Sequence, residues 1–287
     1  MTIEIADAHV HFFSPAFFRS LAEQKKVPEV GSLLSWDIPD SPESLADRWV
    51  EEMDRRAVRQ AVLIASIPND SASVAAAVAK HPTRFNSVSM VNPLLPNAAA
   101  NSPEGVFLFP AMHSYSLHDE RARAVIAKAR LVYVHCGVLS VGFRQKLALP
   151  SYFDMRYSNP IDLHSVALEF PGVRFVIPHF GAGFFREALM VAGLCPNVYL
   201  DTSSSNNWLR CQPVEMALAD VFRRTLDWIG PDRILFGSDS SWFPRGWVHQ
   251  VYDCQVQALE DARASDDIVQ AILGGNLRAL IASVSGK

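Results

Sequence analysis

Ile5-Ala6-Asp7-Ala8-His9-Val10-His11-Phe12-Phe13 is an apolar stretch that carries two histidines two residues apart. Read as a strand over Ile3–Ala8 running into His9, it alternates faces, so residues i and i+2 point the same way. The two imidazoles then aim at one point, roughly 7 Å apart along the strand, and a single metal ion can take both. A pair of ordinary hydrogen-bonded histidines has the same spacing, so the meaning of the stretch depends on where other ligand-type residues fall.

Working outward, short apolar runs alternate with helical patterns along the whole chain. Seven more candidate strands follow: Gln60–Ser66, Phe85–Val91, Gly105–Phe109, Leu131–His135, Val173–Pro178, Val198–Asp201 and Arg233–Gly237. They read as Val/Ile/Leu/Phe runs, as strands do when both faces are buried. Helices fall between them. Ser41 caps one starting at Pro42, with Leu45, Trp49, Met53 and Ala57 on one face. Others span Leu117–Ala129, Asn159 to Pro171, Ala182–Ala192, Val214–Ile229 and Asp266–Ser283. Eight parallel strands with crossover helices argue for a single-domain α/β fold, the (β/α)8 TIM barrel, over residues 1–287. Two segments exceed ordinary connection length, Ser14–Asp40 after the first strand and Gly137–Ser158 after the fifth. Both leave the strand ends where barrel active sites sit, which makes them lid or substrate-loop candidates.

Composition narrows the function classes. The chain has 287 residues, 49% of them hydrophobic, a net charge of −4 and a pI near 6.1. Twenty of its 26 basic residues are arginines, scattered rather than clustered, so nothing favours nucleic acid or an anionic membrane surface. No run of eighteen apolar residues suggests a transmembrane helix, and a strand entered by Ile3 leaves no room for a signal peptide. Cys136, Cys195, Cys211 and Cys254 lie far apart with no Cys-x-x-Cys pair, which reads as reduced thiols of a cytoplasmic protein. The expected partner is a small-molecule substrate, with self-association into a homo-oligomer left open.

Polar residues at the C-terminal strand ends supply the candidate site. His9 and His11 close strand one, His135 closes strand five, His179 follows strand six and Asp239 follows strand eight. In a barrel all five converge over one mouth. Imidazoles with a carboxylate suit zinc or a similar divalent ion, with one position left for water. Asp7, by strict alternation, shares the inward face with His9 and could orient a ligand. Cys136 alternates away from His135 toward the helix layer, against a cysteine nucleophile. Arg144 and Arg156 in the long fifth loop are candidate clamps for an anionic substrate. His113 is a candidate pocket residue, and Phe12, Phe13, Trp208 and Trp242 are candidates for an aromatic wall. His81, His118, His164 and His249 sit at helix positions and read as structural.

These motifs resemble the amidohydrolase superfamily, specifically its amidohydrolase-related branch of metal-dependent hydrolases and decarboxylases. The likeness spans nearly the whole chain. It rests on Asp7-Ala8-His9-Val10-His11, Val134-His135-Cys136-Gly137, Arg156-Tyr157-Ser158-Asn159-Pro160, His179-Phe180-Gly181-Ala182-Gly183, Asn197 to Thr202, Gly237-Ser238-Asp239 and Ile272 to Asn276. The resemblance implies His9, His11, His135 and Asp239 as metal ligands, with His179 polarising substrate or moving a proton. Many superfamily members bridge two metals through a lysine near the end of strand four. Here that strand reads Gly105-Val106-Phe107-Leu108-Phe109-Pro110, and all six lysines lie elsewhere. The expectation is therefore one divalent metal ion, zinc by its ligand types. A relative that works without metal stays open, since some lactone hydrolases of the branch keep the histidines without it.

The leading functional expectation is a hydrolase acting on a lactone, amide or ester, with Asp239 as the proton carrier and His179 beside the developing oxyanion. A nonoxidative decarboxylase (a carboxy-lyase) comes second, because the same residues serve both chemistries. A ligand-binding barrel without catalysis is third, and the intact ligand set argues against it.

Overall fold

A computed structural model describes residues 4–139 and 141–285. Eight strands, β1 (Ile5–Phe12), β2 (Val58–Ala65), β3 (Phe85–Val91), β4 (Gly105–Leu108), β5 (Leu131–Val134), β6 (Arg174–Ile177), β7 (Val198–Asp201) and β8 (Ile234–Leu235), form one parallel sheet in sequence order. Helices cross over between them, giving the expected (β/α)8 barrel. Ile3, where the first strand was expected to begin, lies outside the described residues. The strand instead extends through Phe12, so both histidines belong to it.

Since β8 has only two residues, the barrel closes by backbone bonds beyond its end. Ala8 N–H donates to Phe236 O (2.8 Å), Asp239 N–H to His9 O (3.0 Å) and His11 N–H to Ser240 O (2.7 Å). The β1/β8 seam thus runs through the candidate site itself.

β1 breaks strict alternation. Its register against β2 runs Asp7 to Ala61 and then Val10 to Leu63, so one extra β1 residue is accommodated in a bulge. Before the bulge Ala6 and Ala8 face the barrel interior with Phe107 and Tyr133. After it Val10 and Phe12 face the helix layer, which turns His9 and His11 inward. The Tyr133 hydroxyl donates to the Ala8 carbonyl at the bulge (2.9 Å). Asp7 therefore does not share the face of His9. It is fully buried at the seam and accepts from His9 N–H (2.9 Å), Ser238 N–H (3.0 Å), the Ser238 hydroxyl and Trp247 Nε1 (2.7 Å).

The helix Pro42–Arg55 has the expected start: Ser41 and Ser44 cap each other reciprocally, Pro42 opens the first turn, and Leu45, Trp49 and Met53 are buried. Ala57 falls outside it, at a φ of 55° where the chain turns into β2. The C-terminal segment, expected as one helix over Asp266–Ser283, is Asp266–Gln270 and Asn276–Val284 joined by a π turn, Ala271–Gly275. Gly274 allows this turn to press on β1, because a Cβ there would stand 2.1 Å from Glu4 O. Asp266–Val284 is long and apolar enough by composition to cross a membrane, with mean hydropathy 1.2. Its Leu277, Leu280 and Ile281 pack instead against the barrel interior as a floor.

Both long connections contain structure. The first holds helices Pro15–Lys25 and Gly31–Leu34, and the second holds Gly142–Lys146 and a 3-10 turn at Met155–Tyr157. They pack on one another. Phe143 of the second makes edge contacts with Phe17 and Trp36 of the first and with Phe13 just before it, and Trp36 stacks on Trp242 at 4.9 Å. The result is one apolar cluster beside the barrel mouth.

Candidate metal centre

His9 lies at the centre, fully buried. Its Nδ1 is 2.6 Å from Asp201 Oδ2 at the end of β7. A carboxylate oxygen only accepts, so Nδ1 carries the proton and Nε2 is left free. His11 Nδ1 is 2.8 Å from Ser66 Oγ, whose own proton goes to Ile64 O (3.0 Å), so His11 likewise donates through Nδ1. His179 Nδ1 faces Ser203 O (3.2 Å) and Ser203 Oγ (2.8 Å), and the carbonyl can only accept. In all three imidazoles Nε2 is the available ligand atom.

Those atoms meet Asp239. The Nε2 atoms of His9 and His11 are 3.4 Å apart, and Asp239 Oδ1 stands 3.8 and 3.4 Å from them. His179 approaches from the other side, its ring centroid 4.9 Å from that of His9. His135 lies one ring further out, 5.4 Å from His179 and stacked on Phe109 at 5.0 Å. The tight ligand-type group is therefore His9, His11 and Asp239, with His179 and His135 flanking. Asp201 also clusters with His9 and His179, but its carboxylate is taken up by His9 Nδ1 and by Ser203 N–H (2.6 Å).

Backbone conformation aims two of these side chains. His179 (φ 58°) and Asp239 (φ 59°) both sit in the left-handed region, where non-glycine residues are strained. His179 stands two residues beyond β6 and Asp239 four beyond β8, so the strained residue lies in the turn that leaves the barrel end. Gly237 makes room for the cluster: a Cβ there would lie 2.8 Å from Asp201 Oδ1 and 3.0 Å from His9 Cβ.

The electrostatics are uneven. Burial pushes His11 down to about 3, with the neighbouring His9 adding to it. Burial and then His179 hold His135 well below the imidazole range, and burial and then His9 lower His179. At His9 burial also opposes the charged form, but Asp201, through its charge and its hydrogen bond, outweighs it and raises the pKa. Asp201 is correspondingly lowered: burial works against its charge, and His9 overcomes it. Burial lifts Asp7 to about 6 against its four donors.

This donor set fits a divalent ion of the zinc type. Imidazole Nε2 atoms with oriented Nδ1 protons, one of them held by a carboxylate, are the arrangement in which histidines ligate such metals. Strand four contributes no ligand. Phe107 and Phe109 fill its inward positions, Phe107 lying 5.7 Å from His9 and 6.5 Å from His11.

A cleft of about 390 Å³ opens above the site, lined by His11, His135, His179 and Asp239 together with Phe13, Trp36, Phe143 and Trp242. Phe13 and Trp242 thus line it as expected of an aromatic wall. Phe12 does not, being buried in the helix layer, and Trp208 packs on Phe185. Nor does the structure bring the expected clamps into the cleft. Arg156 is 81% exposed and paired with Asp154 on its own turn. Arg144 donates through Nε to Pro150 O (2.8 Å), bracing its loop, and faces a neighbouring cavity. His113 faces that cavity too, its Nδ1 buried without a partner and its pKa pushed down to about 4 by burial. The cations that do line the cleft are Arg245 and Lys146. Arg245 lies over Trp242 at 4.9 Å and donates to Ser241 Oγ (2.8 Å).

Sequence reasoning passed over Asp201 and Arg245. A buried acid ending the run Val198-Tyr199-Leu200-Asp201 was the available signal for the first. Arg245 follows Asp239 by six residues in the loop after strand eight, which only the folded loop turns inward. Cys136 is buried in the helix layer as alternation requires, and all four cysteines are unpaired.

Comparison with known proteins gives the fold and the family. An uncharacterised TIM-barrel protein from Bordetella bronchiseptica superposes with a TM-score of 0.66 at 20% identity, covering 99% of this chain and all of that one. An amidohydrolase from Burkholderia multivorans solved with bound zinc gives 0.60 at 16% identity, covering 97% of this chain and 99% of its own. A uronate isomerase from Bacillus halodurans gives 0.56 at 14% identity, covering 99% and 94%. Among curated proteins, fluG of Emericella nidulans is 32% identical over 87 residues, which is 30% of this chain and 10% of that much longer protein. Residues 6–281 match the family model described as an amidohydrolase, and the chain belongs to the amidohydrolase family.

Proposed function

We propose that the protein is a metal-dependent hydrolase that uses one divalent ion, zinc by its donor set, to open a lactone, amide or ester in a small carboxylate-bearing compound. The observation that carries this reading is the set of oriented imidazoles: His9, His11 and His179 each spend Nδ1 on an oxygen acceptor, beside Asp239. His9, His11 and Asp239 would hold the ion, with His135 and His179 completing or flanking the shell. When bound, such an ion supplies Lewis acidity, lowering the pKa of water and polarising a carbonyl.

The chain's own groups divide the remaining work. Asp239 is one-third exposed to the cleft, so its carboxylate reaches both solvent and substrate and can carry a proton from water to the leaving group. His179 keeps its Nδ1 proton on Ser203 and turns Nε2 toward the reacting centre. Arg245 and Lys146 are the permanent cations of the cleft, and Arg245 lies close enough to Asp239 to feel its carboxylate. They favour an anionic substrate over a cationic one. The aromatic cluster of Phe13, Trp36, Phe143 and Trp242 keeps water from one side of the cleft.

The test combines metal analysis with turnover. Purified protein should carry close to one equivalent of zinc, and chelation should abolish hydrolysis of lactone, ester and amide panels. Asp239→Asn should lower kcat by about 10²–10⁴. Full activity after metal removal sinks the reading. Release of carbon dioxide from aromatic or enoic acids, with no hydrolysis, replaces it with decarboxylation.

A further inference from the structure

Beside the cleft lies a second cavity of about 300 Å³. The two share Phe17, Ser66, Met90, Met112, Val141 and Phe143, so they lie side by side with these side chains at their boundary. Ser66 stands at the junction, and it is the hydroxyl that accepts His11 Nδ1 (2.8 Å). The way into the second compartment therefore starts behind His11, within reach of the candidate metal centre.

The walls of the second compartment are mostly apolar, with Ser20, Gln24, Ser66, His113, Arg144 and Ser151 as the polar exceptions. Phe17, Ser20, Leu21 and Gln24 line it from one face of the helix Pro15–Lys25 at i, i+3, i+4 and i+7 spacing. Ile67 and Pro68 line it from the loop after β2. Met90 and Met112 sit at the junction, and unbranched thioether side chains adapt to varied apolar shapes. Among the described residues no carboxylate lines the compartment, and the one permanent cation, Arg144, is engaged through Nε with Pro150. Its far rim carries Tyr152, which is 77% exposed, so this end opens to solvent.

From this adjacency, across a boundary of adaptable methionines, we infer that the substrate carries an apolar substituent, an alkyl chain or an aryl group, that leaves the reacting carbonyl past Ser66 and occupies the second compartment. The inference rests on the hydrolase reading for the reacting end only. An apolar cavity of about 150 Å³ is enough for benzene, so this compartment holds a six-carbon chain or a phenyl group with room to spare. The compartment sets chain-length preference, and Ser20, Leu21 and Ile67 are specificity-determining residues.

The experiment compares δ-valerolactone with its 6-hexyl derivative, and cyclohexanone with 3-hexylcyclohexanone as unhydrolysable analogues, on the metal-loaded protein. Burial of part of the chain, discounted for its lost rotamers, should raise kcat/KM for the hexyl lactone about 100-fold over the parent. The ketones should show a Kd ratio of the same order. Ser20→Trp fills the compartment and should cut both ratios to below about fivefold. Gln24→Trp, one turn further on at a more exposed position, repeats the test if the first variant fails to fold. Near-equal kcat/KM for the two lactones overturns the inference while leaving the hydrolase reading intact. So does a preference that survives both tryptophans. If neither lactone turns over, the hydrolase reading is decided by the wider lactone, ester and amide panels, and the ketone ratio alone decides whether the compartment takes an apolar tail.

Discussion

Asp201→Asn should separate metal holding from folding. Asp201 and His9 are both fully buried and lie 2.6 Å apart, and the other Asp201 oxygen accepts Ser203 N–H at 2.6 Å. Both neighbours are donors. An asparagine has one acceptor oxygen, so its NH2 must face either Ser203 N–H or His9 Nδ1. The first choice buries two donors against each other. The second drives the His9 proton to Nε2 and removes the lone pair that the metal needs. Losing a carboxylate behind a histidine ligand typically lowers metal affinity 10–100-fold, about 1.4–2.7 kcal/mol. Loss of the buried charge-assisted bond should also lower the stability of the metal-free protein by about 1.5–3 kcal/mol. The assay is competitive zinc titration against a chromophoric chelator, paired with denaturant unfolding of the metal-free protein. A zinc Kd within twofold of the wild type would refute the claim that Asp201 fixes the His9 tautomer, whatever happens to stability.

Three further outcomes follow from the same geometry. His9 is raised above the ordinary imidazole value of about 6.5, so its contribution to metal-free stability is full below that pH and is lost as pH rises through the folded value. Asp201 is lowered below 3.8, so its contribution is present above that pH and lost as pH falls through the folded value. The metal-free Tm should therefore decline as pH rises past about 6.5, while zinc affinity climbs because binding displaces the His9 proton. Calorimetric titration in buffers of different ionisation enthalpy should detect that proton, and a pH-independent affinity contradicts it. Trp247→Phe removes a donor to Asp7 Oδ2 at 2.7 Å, which should cost about 1.5–3 kcal/mol at pH 7. The carboxyl titrates at about 6, and losing a donor raises it further, so urea unfolding should show a smaller deficit at pH 5 than at pH 7. Gly237→Ala places a Cβ 2.8 Å from Asp201 Oδ1 and 3.0 Å from His9 Cβ. Zinc occupancy after dialysis should fall at least tenfold, and retained occupancy would mean that the strand ends yield more than the packing suggests.

The barrel was legible because its strands are buried on both faces, and Val/Ile/Leu/Phe runs report that directly. His9, His11, His179 and Asp239 were legible for a related reason, since a polar residue directly after such a run stands at the strand's open end. The β1 bulge was not. Nothing local marks it, because what settles the phase is the need of Asp7 for donors, and those come from Ser238 and Trp247 more than 200 positions away. Strict alternation therefore assigned His9 an incorrect companion, and the carboxylate that orients His9 came from strand seven. The arginines failed similarly. Arg144 and Arg156 lie in a suitable loop, yet local partners, Pro150 O and Asp154, claim them first. Arg245 reaches the cleft only because the loop after β8 folds back over Trp242.

The β1/β8 seam has a consequence for biosynthesis. Strands β1 to β7 each find a neighbour next in the chain, so sheet growth can follow synthesis. His9 and His11 instead wait on the first edge until Phe236, Asp239 and Ser240 have left the ribosome. Ligands from opposite ends of the chain meet only at that late, non-local step, and such contacts form slowly. Until then a strand of Val10, Phe12 and two unmetallated histidines presents an unpaired edge, the kind of surface on which nascent chains associate. Zinc supplied during expression should act on this final closure, raising the yield of folded protein more than it changes the behaviour of chains already closed.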